Sequence, residues 1–206
     1  MKIDTNIIPT WKTIIIGDKS KEKILKELDN FEVSGWAKEM INNVEFGIER
    51  QELELVRTTL GELGFTDYPT TKELMARITE KGFGLCPQET GPYLRVAYDD
   101  QSPGEWLYVM SEPISGADGN SYVFSLGRDS GGLWLRGYWA DPGVQWSLDD
   151  ELVLLRRKCP SSSELGTKSL DTLPSALSPD TEAIVSAIDR LTKVVEKLGK
   201  AKPKKK

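Results

Sequence analysis

The sequence contains no histidine, and this absence removes several classes of chemistry. Histidine is the usual general base near neutral pH and the commonest protein ligand of transition metals. Neither a Ser-His-Asp triad nor a Cys-His pair can form without it. Enzymes that depend on those arrangements are therefore excluded.

Cysteine is scarce as well, since the 206 residues include only Cys86 and Cys159. Two cysteines cannot build a disulfide framework or a four-ligand zinc site. We therefore expect a reducing compartment and a buried structural thiol at Cys86. We also expect no bound metal and no other cofactor.

Long apolar runs are missing too, and no stretch approaches the eighteen residues of a membrane span. The first residues do not combine a basic flank with an apolar segment, as a secretory signal does. The sequence thus predicts a cytoplasmic protein that does not enter the membrane.

Basic residues are outnumbered, with 27 Lys and Arg against 32 Asp and Glu and a formal net charge of −5. Five of the lysines lie within residues 200–206, so the rest of the chain is more acidic than the total indicates. An acidic body disfavours nucleic-acid binding. We interpret the basic end as a solvated tail whose nucleic-acid contacts are weak and sensitive to salt.

Hydrophobic residues make up 38% of the chain, which is enough for a packed core. The patterns predict an α+β protein in which an N-terminal helical half packs on a C-terminal antiparallel β-meander. The predicted organisation is an α+β domain over residues 1–158 (helices within 20–82, sheet within 93–157), a flexible linker over 159–180, an amphipathic oligomerisation helix over 181–199 and a basic tail over 200–206.

Helix signals occupy the first half of the domain, after a short β-branched run at residues 11–16. Ser20 and Ser34 are typical N-cap residues, and each precedes apolar positions at helical spacing. Leucine and valine at intervals of three and four residues predict a third helix over about 50–63. A fourth is predicted over 72–81, after a threonine cap.

Turn residues divide the second half into short β-rich runs. We predict strands over residues 93–98, 105–110, 121–126, 133–139 and 151–157.

Near the C-terminus, apolar residues repeat at the alternating spacing of a heptad. Self-association through this helix is predicted, with a trimer or tetramer favoured over a dimer because the apolar face is wide. Docking of the helix on its own domain is the alternative. The oligomerisation residues are Ile184, Ile188, Leu191, Val195 and Leu198.

A polar and aromatic segment at residues 85–106 holds the first group of candidate ligand-binding residues. An arginine there can clamp a carboxylate or a phosphate with two hydrogen bonds. Alternatively, the arginine pairs with a carboxylate across the sheet and the two aspartates only begin a turn. The candidates are Glu89, Arg95, Asp99, Asp100, Gln101 and Trp106.

The predicted sheet supplies the remaining candidates. Trp134 and Arg136 alternate with leucines, so both are expected on one face, where they could stack a base, a sugar or a partner's side chain. Tyr138, Trp139 and Trp146 fall around one loop. These aromatic residues predict an aromatic-rimmed pocket.

Short motifs run through residues 10–157: Trp11-Lys-Thr-Ile-Ile-Ile-Gly17, Leu63-Gly-Phe65, Leu85-Cys-Pro-Gln-Glu-Thr-Gly-Pro92, Leu94-Arg95, Asp100-Gln101, Gly104-Glu-Trp106 and Gly132-Leu-Trp134. In spelling and order they resemble a family of uncharacterised bacterial proteins, some of which carry a transferred helicase label. The resemblance implies one coherent domain and brings no catalytic residue. A helicase would need a complete phosphate-binding loop, and the Gly17-Asp-Lys-Ser20 run lacks the required glycines.

Together these features predict a non-enzymatic cytoplasmic binding or interaction protein, assembled through its C-terminal helix. A small polar or anionic ligand such as a nucleotide, or a protein, is the expected partner. The alternative is a hydrolase or transferase that uses carboxylates of the 89–105 segment.

Overall fold

The computed structural model describes residues 8–157, which form an α+β fold of four helices and eight strands. Within this range no helix is long and apolar enough to cross a membrane. The predicted linker, oligomerisation helix and basic tail lie outside the described residues. The elements are β1 (Lys12–Ile16), α1 (Lys21–Leu28), β2 (Glu32–Val33), α2 (Gly35–Asn43), β3 (Gln51–Thr59), α3 (Thr71–Glu80), β4 (Phe83–Gly84), α4 (Thr90–Ala97), β5 (Trp106–Ser115), β6 (Ser121–Asp129), β7 (Gly132–Trp139) and β8 (Glu151–Arg156).

All eight strands belong to one mixed sheet with the order β1-β3-β8-β5-β6-β7-β2, and β4 pairs with β8. The β5–β8 and β2–β7 pairs are parallel, and the other pairs are antiparallel. The hairpins β5–β6–β7 match the predicted meander. The last strand does not extend it, because β8 inserts between β3 and β5. Early and late strands therefore share one sheet, and the helical and sheet halves are not separate as predicted.

Helices cover both faces of the sheet. On one face α1, α2 and α4 place Ile24, Met40 and Leu94 in a buried cluster with residues of β1, β3 and the β5–β7 strands. On the other face α3 packs Leu74 and Ile78 into a second cluster. The sheet is thus the middle layer, and most of its strands are apolar on both sides.

Residues 51–59 form strand β3, so the helix predicted over 50–63 is wrong. Leu53 and Leu55 face the first cluster, whereas Val56 and Leu60 belong to the second. Burial on both faces removes the simple alternation of a half-exposed strand. The apolar spacing that results resembles that of a helix.

Residues 90–97 form helix α4, so the strand predicted over 93–98 is also wrong. The aromatic and β-branched residues of this segment are typical of strands, but tertiary packing overrides the propensity. Gly91 lies so close to β6 that a Cβ atom there would be 2.5 Å from Phe124. Pro92 is accommodated because the first helical turn needs no backbone donor.

The helix starts predicted at Ser20 and Ser34 are confirmed. Their side chains accept hydrogen bonds from the backbone N–H groups of Lys23 and Ala37. The cap at the start of α3 is confirmed as well, and Glu73 completes it as a capping box with Thr70.

Candidate functional site

Arg95 and Gln101 are fully buried together beneath the β5–β7 hairpins. The Arg95 Nη1 group donates to Gln101 Oε1 at 2.6 Å, and Nη2 donates to the carbonyl of Tyr98. Gln101 Nε2 in turn donates to the carbonyls of Glu105 and Leu126, each at 3.1 Å. Burial lowers the pKa of Arg95 to about 10. In this arrangement both candidates join the core, and neither offers surface to a ligand.

Glu89 lies at one end of α4, whereas Asp99 and Asp100 lie beyond its other end. Glu89 is 6% exposed beside the N-terminus of α4, and its oxygens accept from the N–H of Gly47 at 3.1 and 3.2 Å. Burial raises the pKa of Glu89, while the bond from Gly47 opposes the shift. Asp99 and Asp100 are exposed beyond the other end of α4. A helix of eight residues separates the two ends by about 12 Å.

Trp134 and Arg136 lie on one face of the sheet, as their alternation with leucines predicted, and Trp106 lies beside them on that face. Trp106, Gly127 and Trp134 form one row across β5, β6 and β7. The Arg136 guanidinium lies 4.7 Å from the Trp106 ring centroid and 4.1 Å from that of Trp134. Asp129 accepts from Trp134 Nε1 at 2.8 Å and from Arg136 Nη2 at 3.1 Å. The charge of Arg136 is therefore met within the protein.

An acidic cleft of about 550 Å³ adjoins Trp106. At its wall Arg57 donates to Glu105 at 2.5 Å and also to Glu151. Burial alone would lower the pKa of Arg57, but these two carboxylates raise it. Within residues 8–157 no group of three His, Cys, Asp or Glu side chains could hold a metal ion. The lining residues are Arg57, Pro103, Gly104, Glu105, Trp106, Tyr108, Asp149, Asp150 and Glu151.

A groove of about 320 Å³ at the C-terminal end of β7 gathers exposed aromatic side chains. Trp36 from α2 is 46% exposed, and Trp139 from β7 is 57% exposed. We call this site the aromatic groove. It is lined by Trp36, Tyr122, Gly137, Tyr138, Trp139 and Val144.

Tyr122 organises the aromatic groove. The Trp36 ring stacks on it with centroids 5.3 Å apart and an interplanar angle of 20°. Trp139 Nε1 donates to the Tyr122 hydroxyl at 3.0 Å, and that hydroxyl donates to Asp118 at 2.7 Å. The hydrogen bond from Tyr122 is the main reason that the pKa of Asp118 is lowered. Both tryptophans are thus fixed in place before any ligand arrives.

Gly137 makes the close approach of α2 to the sheet possible. A Cβ atom there would lie 2.8 Å from Met40 Sδ and 3.2 Å from Trp36 Cβ. The Ser34 cap starts α2 immediately after β2, which places Trp36 in the first helical turn beside β7.

Three carboxylates lie next to residues that line the aromatic groove. Glu39, one turn after Trp36, accepts from the N–H of Ala117, and Asp141 accepts from the N–H of Ser121 at 2.7 Å. Together with Asp118 they make the rim of the aromatic groove acidic.

The structure places Tyr138 and Trp139 at one pocket, as the sequence predicts, but not Trp146. That side chain is 1% exposed, and its Nε1 donates to Thr71 Oγ1 at 2.9 Å within the second core cluster. Sequence reasoning missed Trp36 and Tyr122. A tryptophan two residues after the N-cap Ser34 was the available signal, since first-turn positions of a surface helix are often exposed.

Comparison of the chain with protein-family models, with curated proteins and with solved structures gives no match. The resemblance to uncharacterised bacterial proteins therefore stays a prediction.

Proposed function

We propose that this protein is a non-enzymatic binding protein that recognises its partner through the aromatic groove. The observation that carries the proposal is that Trp36 and Trp139 line one groove and are 46% and 57% exposed. Clustered apolar exposure is typical of interaction sites, and tryptophan and tyrosine dominate binding hot spots.

The groove also has the rigidity that favours binding. Stacking on Tyr122 and the hydrogen bond from Trp139 restrain both indole rings. Binding of a ligand therefore costs little free energy for the ordering of these side chains.

Charge indicates the kind of ligand. Glu39, Asp118 and Asp141 at the rim favour a neutral or cationic group. The anionic ligand expected from the sequence has less support, because Arg95 is buried and Arg136 is paired with Asp129. We therefore propose a ligand with an apolar part that stacks on the tryptophans and with neutral or positive polar groups.

Two features weigh against the alternative of a hydrolase or transferase. The α4 helix separates Glu89 from Asp99 and Asp100, so Glu89 cannot form an acid–base pair with either of them. Burial raises the pKa of the Cys86 thiol to about 12, which keeps it protonated at neutral pH. Both features support a binding role.

Self-association through the C-terminal helix remains part of the proposal. Its residues lie outside the described part of the chain, and the heptad spacing supports it. Several grooves on one assembly would add avidity to a modest affinity at each groove.

A thermal-stability screen tests the proposed function. The full chain is mixed with amines, short basic peptides, sugars, nucleotides and divalent metals, and its Tm is measured. A ligand at one hundred times its Kd stabilises the folded state by about 2.7 kcal/mol. We expect stabilising compounds to lose their effect on Trp36→Ala and Trp139→Ala variants.

Tyr68→Ala is the matched control, because Tyr68 is 62% exposed and lies outside the aromatic groove. This variant should respond like the native chain, and the compound should be recovered unchanged by mass spectrometry. Equal stabilisation of the tryptophan variants would place the site elsewhere. Chemical conversion of the compound would favour the enzyme alternative.

A further inference from the structure

The outer edge of β7 is only partly paired. Among the described strands, β2 occupies this edge opposite Trp134 and Leu135, and the chain then turns into α2. The rest of the strand, up to Trp139, continues along the aromatic groove.

Hydrogen-bond directions identify which backbone groups face outward. The N–H of Ser34 donates to the carbonyl of Leu135 at 3.0 Å, so the backbone groups of Leu135 point toward β2. The N–H of Ala140 donates to Ser121 at 2.8 Å on the opposite, β6 side. Backbone groups alternate along a strand, so those of Gly137 and Trp139 point outward like those of Leu135.

We propose that the partner is an extended, basic peptide that adds to β7 as a further strand, in line with β2. This inference rests on the proposed function and names the partner of the same groove. The outward N–H and C=O groups of Gly137 and Trp139 supply the main-chain hydrogen bonds. Addition of a strand to an exposed sheet edge is a general mode of peptide recognition.

The groove is lined from both faces of the sheet, as strand addition requires. Trp36 and Tyr122 lie on the side of the first core cluster, whereas Tyr138 contacts the second cluster. Side chains of an added strand would point alternately to these two sides. Apolar residues at alternate peptide positions would therefore stack against Trp36 and Trp139.

Charge distinguishes this occupant from a second copy of the chain. Pairing of β7 with another β7 would bring two acidic rims together, each with Glu39, Asp118 and Asp141. Like charges across an interface oppose association. Lysine or arginine on the same face of the peptide, two residues before or after the apolar positions, would instead face these carboxylates favourably.

An array of synthetic heptapeptides with the pattern basic, polar, apolar, polar, apolar, polar, basic tests the proposal on the full chain, because this spacing puts the apolar and basic residues on one face. We expect members of the array to bind the native protein and the Tyr68→Ala control, and to bind Trp139→Ala at least about tenfold more weakly. Replacement of the basic residues of a peptide by glutamate should weaken its binding to the native protein. Because no side chain is altered, N-methylation of the bound peptide then tests the main-chain contacts.

Peptides methylated at a single amide nitrogen should fall into two classes of affinity. At amides that face β7, loss of the hydrogen bonds should weaken binding about tenfold or more, whereas at the amides between them the change should be small. Equal tolerance at every amide would overturn strand addition and leave recognition by side chains, and so the proposed function, intact. If no peptide of the array binds the native protein more tightly than it binds the Trp139→Ala variant, the inference of a basic peptide is overturned. If light scattering shows that the chain self-associates and that Trp139→Ala in β7 abolishes this association, the outer edge of β7 would instead bind a second copy of the chain.

Discussion

Replacement of Gly91 by alanine is expected to destabilise the protein, because α4 packs against β6 without room for a side chain. The new Cβ would lie 2.5 Å from Cβ and Cγ of Phe124, whose side chain is 1% exposed. These atoms are close to the β6 backbone and cannot move aside cheaply. Overpacking of this kind costs about 1–3 kcal/mol, while alanine returns up to about 1 kcal/mol of helix propensity.

The net loss for Gly91→Ala should therefore be up to about 2 kcal/mol. Gly35→Ala is the matched control, since Gly35 also lies in the first turn of a helix and a Cβ atom added there would have nothing within 4 Å. That variant should be as stable as the native chain or slightly more stable.

Urea unfolding followed by tryptophan fluorescence measures both variants. All six tryptophans lie between residues 11 and 146, so the signal comes from the α+β domain alone. The midpoint should fall for Gly91→Ala with an unchanged denaturant slope. A Gly91→Ala variant at least as stable as Gly35→Ala would refute the packing of α4 on β6.

Three further predictions concern the core, the pH dependence and assembly. Gln101→Leu should cost about 3 kcal/mol or more in urea unfolding, because it deprives the buried Arg95 guanidinium of an acceptor; a loss below about 1 kcal/mol would contradict the network. Burial raises the pKa of Glu89 in the folded state, so the folded protein holds this proton more tightly than the unfolded chain does. The free energy of unfolding should therefore fall as the pH rises from the ordinary pKa of a glutamate through the raised pKa of the folded state. Glu89→Gln should flatten that fall, and an unchanged pH profile would contradict it. The double replacement of Ile188 and Leu191 by aspartate should reduce the mass measured by light scattering to the 23.0 kDa of one chain and leave tryptophan fluorescence unchanged; a native chain already of this mass would refute assembly.

Helix ends and turns could be predicted from the sequence, because the residues that form them act on the backbone a few positions away. Ser20 and Ser34 cap the helices that follow, and Gly82 follows α3 with a positive φ of 86°. The hairpins of the β5–β7 region were likewise marked by their turn residues. These features depend on neighbours within a few positions of the chain.

The two wrong assignments concern segments whose surroundings come from distant residues. β3 is apolar on both faces because β1 and β8 flank it and helices cover both sides. α4 is helical despite its strand-like composition, and Tyr93 fixes it by donating to the carbonyl of Lys19 at 2.8 Å. Neither environment can be inferred from the segment alone.

The candidate site shows the same division. Tyr138 and Trp139 are neighbours in sequence, and their pattern predicted an aromatic pocket. Trp36 joins them only because α2 packs on β7 at Gly137, and Tyr122 joins them because β6 pairs with β7 opposite Trp139. Arg95 was selected for its charge, yet it is buried in the core, where its Nη1 and Nη2 groups donate to the side chain of Gln101 and the carbonyl of Tyr98.

The indole N–H signals of the six tryptophans offer the most direct measurement of the central claim, that the aromatic groove is the binding surface. In a ¹⁵N-labelled full chain, each signal is assigned by a single tryptophan replacement. The compound that stabilises the protein most in the thermal screen is then titrated. The signals of Trp36 and Trp139 should shift together with one affinity, while that of the buried Trp146 stays in place. Shifts confined to Trp106 and Trp134, with Trp36 and Trp139 unmoved, would contradict the account.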